Sequence, residues 1–175
     1  MRSIINTLRL LIFTLPLTGC SVYSFTGASL VNGEETISID QFYNNALLGP
    51  SNMSQVFTER MRDYFQQNTN LTLVDNNGDL QFEGYIASYT VTPVTPSASE
   101  NNNIAQVSSS TRIEIAVQVT FTNLKNDQFD FDRSFSFFKD FETESTDLSS
   151  NEDRFVEEIF DQIIFDIFNA SVANW

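Results

Sequence analysis

Two hydrophobic periods alternate along this chain, and the places where one gives way to the other mark its elements. Residues 36–42 alternate, with Ile37 and Ile39 on one side and Ser38 and Asp40 on the other, which is the period of a half-buried strand ended by Asn44, Asn45, Gly49 and Pro50. Met53, Val56, Phe57, Met61, Tyr64 and Phe65 then recur at helical spacing. Asn52 is positioned to cap that helix, with Gln55 completing a capping box, and Asn68, Thr69 and Asn70 stop it. Leu71, Leu73 and Val74 predict a short strand, and the turn residues 75–79 predict a hairpin into a long alternation over residues 80–92. Pro93, Pro96 and a polar tract over residues 97–103 interrupt the pattern. A second alternation places Ile113, Ile115, Val117, Val119 and Phe121 on one face, and after a turn at residues 123–128 a third carries Phe129, Phe131, Phe135 and Phe137 at even spacing. These three strands predict an antiparallel meander.

The helical period returns over residues 149–169. Phe155, Val156, Ile159, Phe160, Ile163, Ile164, Ile167 and Phe168 form its stripe, Ser149 and Glu152 read as a capping box, and Glu152 and Asp153 complement the positive end of the helix dipole. Its other face is Glu157, Glu158, Asp161, Gln162 and Asp166. Membrane-surface helices carry basic polar faces, so this stripe is expected to pack on a core. The element order predicts an α+β two-layer sandwich, with two helices packed on one face of a mostly antiparallel four- to five-stranded sheet.

The beginning of the chain follows neither period. Arg2 and Arg9 precede an apolar run over residues 10–17, which Thr18, Gly19 and Cys20 close. That is the layout of a secretory signal with a small-residue cleavage site. A spanning helix needs about 20 apolar residues, more than this run offers. Cys20 is the chain's one cysteine, and Leu17-Thr18-Gly19-Cys20 reads as a lipobox, in which the thiol takes a diacylglyceryl group and becomes the first mature residue. Two acyl chains hold a domain on a bilayer firmly, at roughly 0.8 kcal/mol per buried methylene. The expected organisation is a signal peptide at 1–19, an acylated cysteine and polar tether at 20–32, and one α+β domain at 33–175. Residues 21–25 carry no charge. Acidic residues just after the acylated cysteine are signals for inner-membrane retention or surface export, so their absence points to the inner leaflet of the outer membrane.

Charge narrows the partners. After loss of the signal, seven basic residues stand against 23 acidic ones, a net charge of −16. Nucleic acid binding rests on clustered Lys and Arg, so a nucleic acid partner is excluded. The chain has no histidine, which removes His-based triads and His-ligated zinc. Asp127, Asp130 and Asp132 read as a solvated strand face rather than a metal site, and residues 75–79 lack the alternating ligands and distal Glu of an EF-hand. No cofactor, metal or catalytic residue is expected. The fold holds by packing alone, for which 17 phenylalanines supply much of the apolar surface.

Four stretches carry a family resemblance: residues 19–27 (GCSVYSFTG), 42–46 (FYNNA), 78–84 (GDLQFEG) and 171–175 (SVANW). Through them the chain resembles the LptE family of lipopolysaccharide-assembly lipoproteins, as a divergent branch. The resemblance implies a two-helix, four-stranded sandwich on a periplasm-facing outer-membrane lipoprotein that forms a plug-and-barrel complex with LptD, the β-barrel through which lipopolysaccharide reaches the outer leaflet. Members of the family are credited with basic residues that touch lipopolysaccharide. Arg112, Lys125, Arg133 and Lys139, in or near the meander, are the candidates for that contact here. The plainer reading of each is a surface ion pair, nearly neutral in energy. The strong negative charge argues against broad affinity for an anionic glycolipid. From the residues alone an alternative stands beside this one: a lipid-anchored periplasmic binding module that holds a small apolar ligand between sheet and helices.

Overall fold

In the computed structural model, which describes residues 33–94, 110–142 and 145–172, both periodic stripes become buried helix faces. The signal segment, Cys20, the tether and the last three residues lie outside the described residues. Helix α1 is Met53–Asn68 and helix α2 is Leu148–Ser171. All eight apolar positions expected of α2 are buried. On α1, Met53, Phe57, Met61 and Phe65 are fully buried, while Val56 and Tyr64 pack at the margin of the core.

The strands are β1 (Thr36–Ile39), β2 (Tyr43–Asn44), β3 (Thr72–Leu73), β4 (Leu80–Val94), β5 (Ser110–Asn123) and β6 (Phe131–Glu142), in the order β3-β1-β4-β5-β6 with β2 beside β4. The expected meander is present, since β4, β5 and β6 pair antiparallel in sequence. Two features differ from expectation. The sheet is mixed and six-stranded, because β1 runs parallel to both β3 and β4, and β2 runs parallel to β4. Nor do residues 75–79 make a hairpin. They carry the chain from β3 across β1 to β4, so that Ile37 lies opposite Leu73 on one side and Leu80 on the other.

That crossing explains two residues. Gly78 lies on the β1 backbone, where an added Cβ would fall 2.4 Å from the Ser38 amide nitrogen. Ser38, expected to face water, is thereby buried, and its Oγ accepts a hydrogen bond from the Gly78 N–H. Asn77 takes the left-handed conformation the turn requires, at φ 56°. Asp79 then locks the start of β1, accepting from the backbone N–H groups of Glu35 at 2.9 Å and Thr36 at 3.1 Å.

Between β1 and β2 the chain leaves the ladder and turns Phe42 into the core over Gly84, whose added Cβ would lie 2.7 Å from the Phe42 ring. A bulge between Ile86 and Ser88 shifts the alternation on β4 by one residue, so Tyr89 joins Leu80, Phe82 and Ile86 on the core side. The two layers meet through rings. Phe168 touches Phe65, Phe65 touches Phe82, and the series continues through Phe121 and Phe131 to Phe135 at centroid separations of 4.7 to 5.7 Å. Phe57 joins Phe42 to Phe160 at 4.9 and 5.0 Å.

Neither expected capping box forms. Asn52 precedes α1 without a side-chain cap, and Gln55 bonds Glu59 instead. Asp147 caps α2 by accepting from the Ser149 N–H, which frees Glu152 to accept from the Tyr89 hydroxyl at 2.6 Å.

Candidate functional site

The helices cover one face of the sheet, and the other face has no layer over it among the described residues. The candidate surfaces among the described residues are the open sheet face, the β6 edge of the sheet, and the loop between β2 and α1. Phe137 and Phe138 are partly exposed on the β6 edge, and the loop carries Leu47 and Leu48, 99% and 63% exposed. Inward-pointing Arg133 and Lys139 and outward Asp132 and Asp140 interrupt the apolar side chains of β6, as suits a free edge that must not aggregate.

The structure does not bring the four basic candidates together. Arg112 lies on the open face of β5, with its guanidinium 3.7 Å above the Phe138 ring and bonded at 2.7 and 2.8 Å to both carboxylate oxygens of Asp140. That pairing holds the Asp140 carboxyl below the usual range. Lys139, next to Arg112 across the strand pair but on the helix side, meets Glu158 of α2 at 2.7 Å and lowers its pKa, as Arg154 also does to a smaller degree. Lys125, in the turn after β5, meets Asp79 at 3.2 Å. The Asp79 carboxyl is lowered to about 2, first by the Glu35 N–H and then, against a smaller opposing desolvation, by Lys125 and Thr36.

Arg133 differs from the other three. Its guanidinium lies over the rings of Phe131 and Phe135 at 4.9 and 4.6 Å, and among the described residues it has no carboxylate at ion-pair distance. It borders a shallow, open groove of about 490 Å³ shared with Ser134, Phe135, Asp166, Asn169 and Ala170. A cation supported by rings at a groove margin can contact an anionic group. The sequence named Arg133 only as a basic residue in or near the meander; the β6 register and the position of α2 reveal the groove.

Among the described residues, aromatic rings pack between the layers where an apolar ligand would sit. The space there is filled by Phe42, Phe57, Phe65, Phe82, Phe121 and Phe160, each less than 2% exposed. No helix among the described residues is long and apolar enough to cross a membrane.

Two helices against one face of a mixed six-stranded sheet define the chain as a two-layer α+β protein. The sequence model of the LptE family, described as lipopolysaccharide-assembly, matches residues 34–171, and the chain belongs to that family. Among solved structures, it is similar to a hypothetical protein from Chlamydia trachomatis, at 12% identity and a TM-score of 0.51 over 81% of this chain and 99% of that one. It is also similar to a minor lipoprotein from Acinetobacter baumannii, at 12% identity and a TM-score of 0.50 over 81% and 94% of the two chains. At these identities the likeness is one of fold. No curated protein matches the chain.

Proposed function

We propose that this chain is a lipid-anchored, periplasm-facing lipoprotein of the outer membrane that seats as a plug in an LptD-like β-barrel and supports lipopolysaccharide assembly by binding rather than by catalysis. The observation that carries this reading is the family match, which runs from Glu34 to Ser171 and so takes in both helices and the whole sheet. Three further points support it. The interlayer is solid with aromatic rings, as a scaffolding subunit requires and a small-ligand carrier does not. The exterior is acidic and polar, which suits the water-filled lumen of a large barrel better than a lipid-facing position. A tether of about 12 residues at about 3.3 Å each reaches roughly 40 Å from an anchor at Cys20, enough to enter a barrel beside the anchoring point.

Of the four basic candidates, Arg133 fits a lipopolysaccharide contact best, since its charge is not already spent on a carboxylate. Arg112, Lys125 and Lys139 act first as ion-pair partners within the domain. Affinity isolation of the full-length lipoprotein from detergent-solubilised membranes, with partners identified by mass, tests the reading. Co-isolation of a large outer-membrane β-barrel is the expected result. Repeated isolation without one overturns it.

A further inference from the structure

Beside β2, the open sheet face holds a groove of about 610 Å³ that none of the four basic candidates lines. Its walls are Asp40 and Gln41 from the β1–β2 joint, Tyr43 of β2, Glu83 and Tyr85 of β4, Gln118 and Thr120 of β5, Asp132 of β6 and Asn76 from the crossing loop. Tyr43 and Tyr85 are register partners on parallel strands, 71% and 39% exposed. Three carboxylates surround them. Asp132 accepts through Oδ1 from Gln118 Nε2 at 2.6 Å and Thr120 Oγ1 at 3.3 Å, and its Oδ2 has no partner among the described residues. The side chains of Asp40 and Glu83 are exposed and make no hydrogen bond or ion pair there.

The domain's own cations are committed elsewhere. Arg60, Arg112, Lys125, Lys139 and Arg154 are ion-paired outside the groove, Arg62 donates to the Ile39 carbonyl, and Arg133 stacks on Phe131 and Phe135 on the helix side. A positive charge in the groove must therefore come from another molecule. Nor does the geometry favour a metal ion, because among the described residues no three carboxylates lie close enough to share one. Separated carboxylates around exposed aromatic faces suit a broad, delocalised cation that stacks and hydrogen-bonds at once. A guanidinium does both, whereas an ammonium is a compact, strongly hydrated charge.

We infer that the open sheet face around Tyr43, Tyr85, Glu83 and Asp132 is a docking surface for an arginine-bearing segment of a partner protein. One arginine lies across the tyrosine pair and bonds the neighbouring carboxylates, and the flat polar strands on either side carry the rest of the segment. The surface follows from the fold and charge of this chain; that the segment belongs to the barrel rests on the proposed function.

The test uses full-length lipoprotein in a neutral detergent and fluorescent Gly-Arg-Gly-Arg-Gly and Gly-Lys-Gly-Lys-Gly peptides, read by anisotropy. The arginine peptide is expected to bind more tightly than the lysine peptide. The pair Glu83→Gln and Asp132→Asn should weaken its binding at least about tenfold, since charged hydrogen bonds are the strong ones. Tyr85→Ala should remove the preference for arginine over lysine. Asp153→Asn, on the exposed side of α2, should change neither. Equal binding by the Glu83/Asp132 variant and the unmutated protein, with unfolding midpoints matched, overturns the inference, as does loss of binding on Asp153→Asn alone. Membrane isolation with Glu83→Arg separates the two claims. If the barrel is recovered with the unmutated chain and lost with Glu83→Arg, both stand. If both chains recover it, this face is not the contact although the plug role holds. If neither does, the plug role falls and the peptide series alone decides the surface.

Discussion

Replacing Phe57 with alanine removes the ring that ties both helices to the sheet. Phe57 is fully buried, its ring stands edge-on to Phe160 of α2 at 5.0 Å and 76°, and on its other side it meets Phe42 at 4.9 Å. Truncating a buried phenylalanine costs about 3–5 kcal/mol, through lost transfer energy and the cavity left behind. Against the roughly 5–15 kcal/mol that holds a typical domain together, that is a large fraction. With a urea dependence of about 2 kcal/mol per molar, the midpoint should fall by roughly 1.5–2.5 M. The assay is equilibrium unfolding of the full-length protein in neutral detergent, followed by circular dichroism. A double-mutant cycle with Phe160→Ala should give a coupling of about 0.5–1.5 kcal/mol, the worth of one aromatic pair beyond its burial. A midpoint lowered by less than about 0.5 M would refute the packing argument, because a ring this enclosed cannot be lost without a cavity.

Ile163, fully buried on α2, should lose about 2–5 kcal/mol on Ile163→Ala, and Ile163→Asp should fail to fold; an unchanged midpoint would place the stripe against water or lipid. Asp79 gives a pH prediction. Its folded pKa lies near 2, below that of the unfolded chain, so its contribution is complete above the ordinary carboxylate range and is lost as pH falls from about 4 toward 2. Asp79→Asn should therefore lower the midpoint at neutral pH, and its difference from the unmutated protein should vanish in acid; a difference independent of pH would contradict this. Cys20→Ala should leave an uncut chain without acyl mass by intact-mass measurement. Unmutated protein extracted from membranes uncut and unacylated would remove the anchor from the proposal.

Helices and long strands were legible because their periods are long enough to be unambiguous. The α2 stripe from Phe155 to Phe168 repeats over about four turns, and β5 alternates without interruption from Ile113 to Phe121. Short parallel elements were not. β2 is two residues long and pairs only through Tyr43 and Asn44, below the length at which alternation carries information. Residues 75–79 have the composition of a hairpin turn, yet β1 occupies the place beside β4 that a hairpin would need. Gly78 and Asp79 were visible as turn residues, but their roles depend on a strand some 40 residues away in sequence. The α2 cap was misplaced for a local reason: Asp147 and Ser149 are both good caps, and composition cannot rank neighbours two residues apart. At the surface, the basic residues could be named from sequence but not sorted into paired and unpaired. The Tyr43 and Tyr85 groove was invisible because it is assembled by the parallel register of β2 on β4.

The plug claim is tested most directly by photo-crosslinking in intact cells, with a crosslinking residue placed in turn at exposed positions around the domain. Leu47, Tyr85, Glu114 and Gln128 sample the helix-side loop, the open sheet face and the β5–β6 turn. A domain seated inside a barrel is enclosed on several sides, so at least two of these surfaces should capture the same large outer-membrane β-barrel. Capture of no barrel from any exposed position, with the lipoprotein folded and at its normal level, would contradict the plug role.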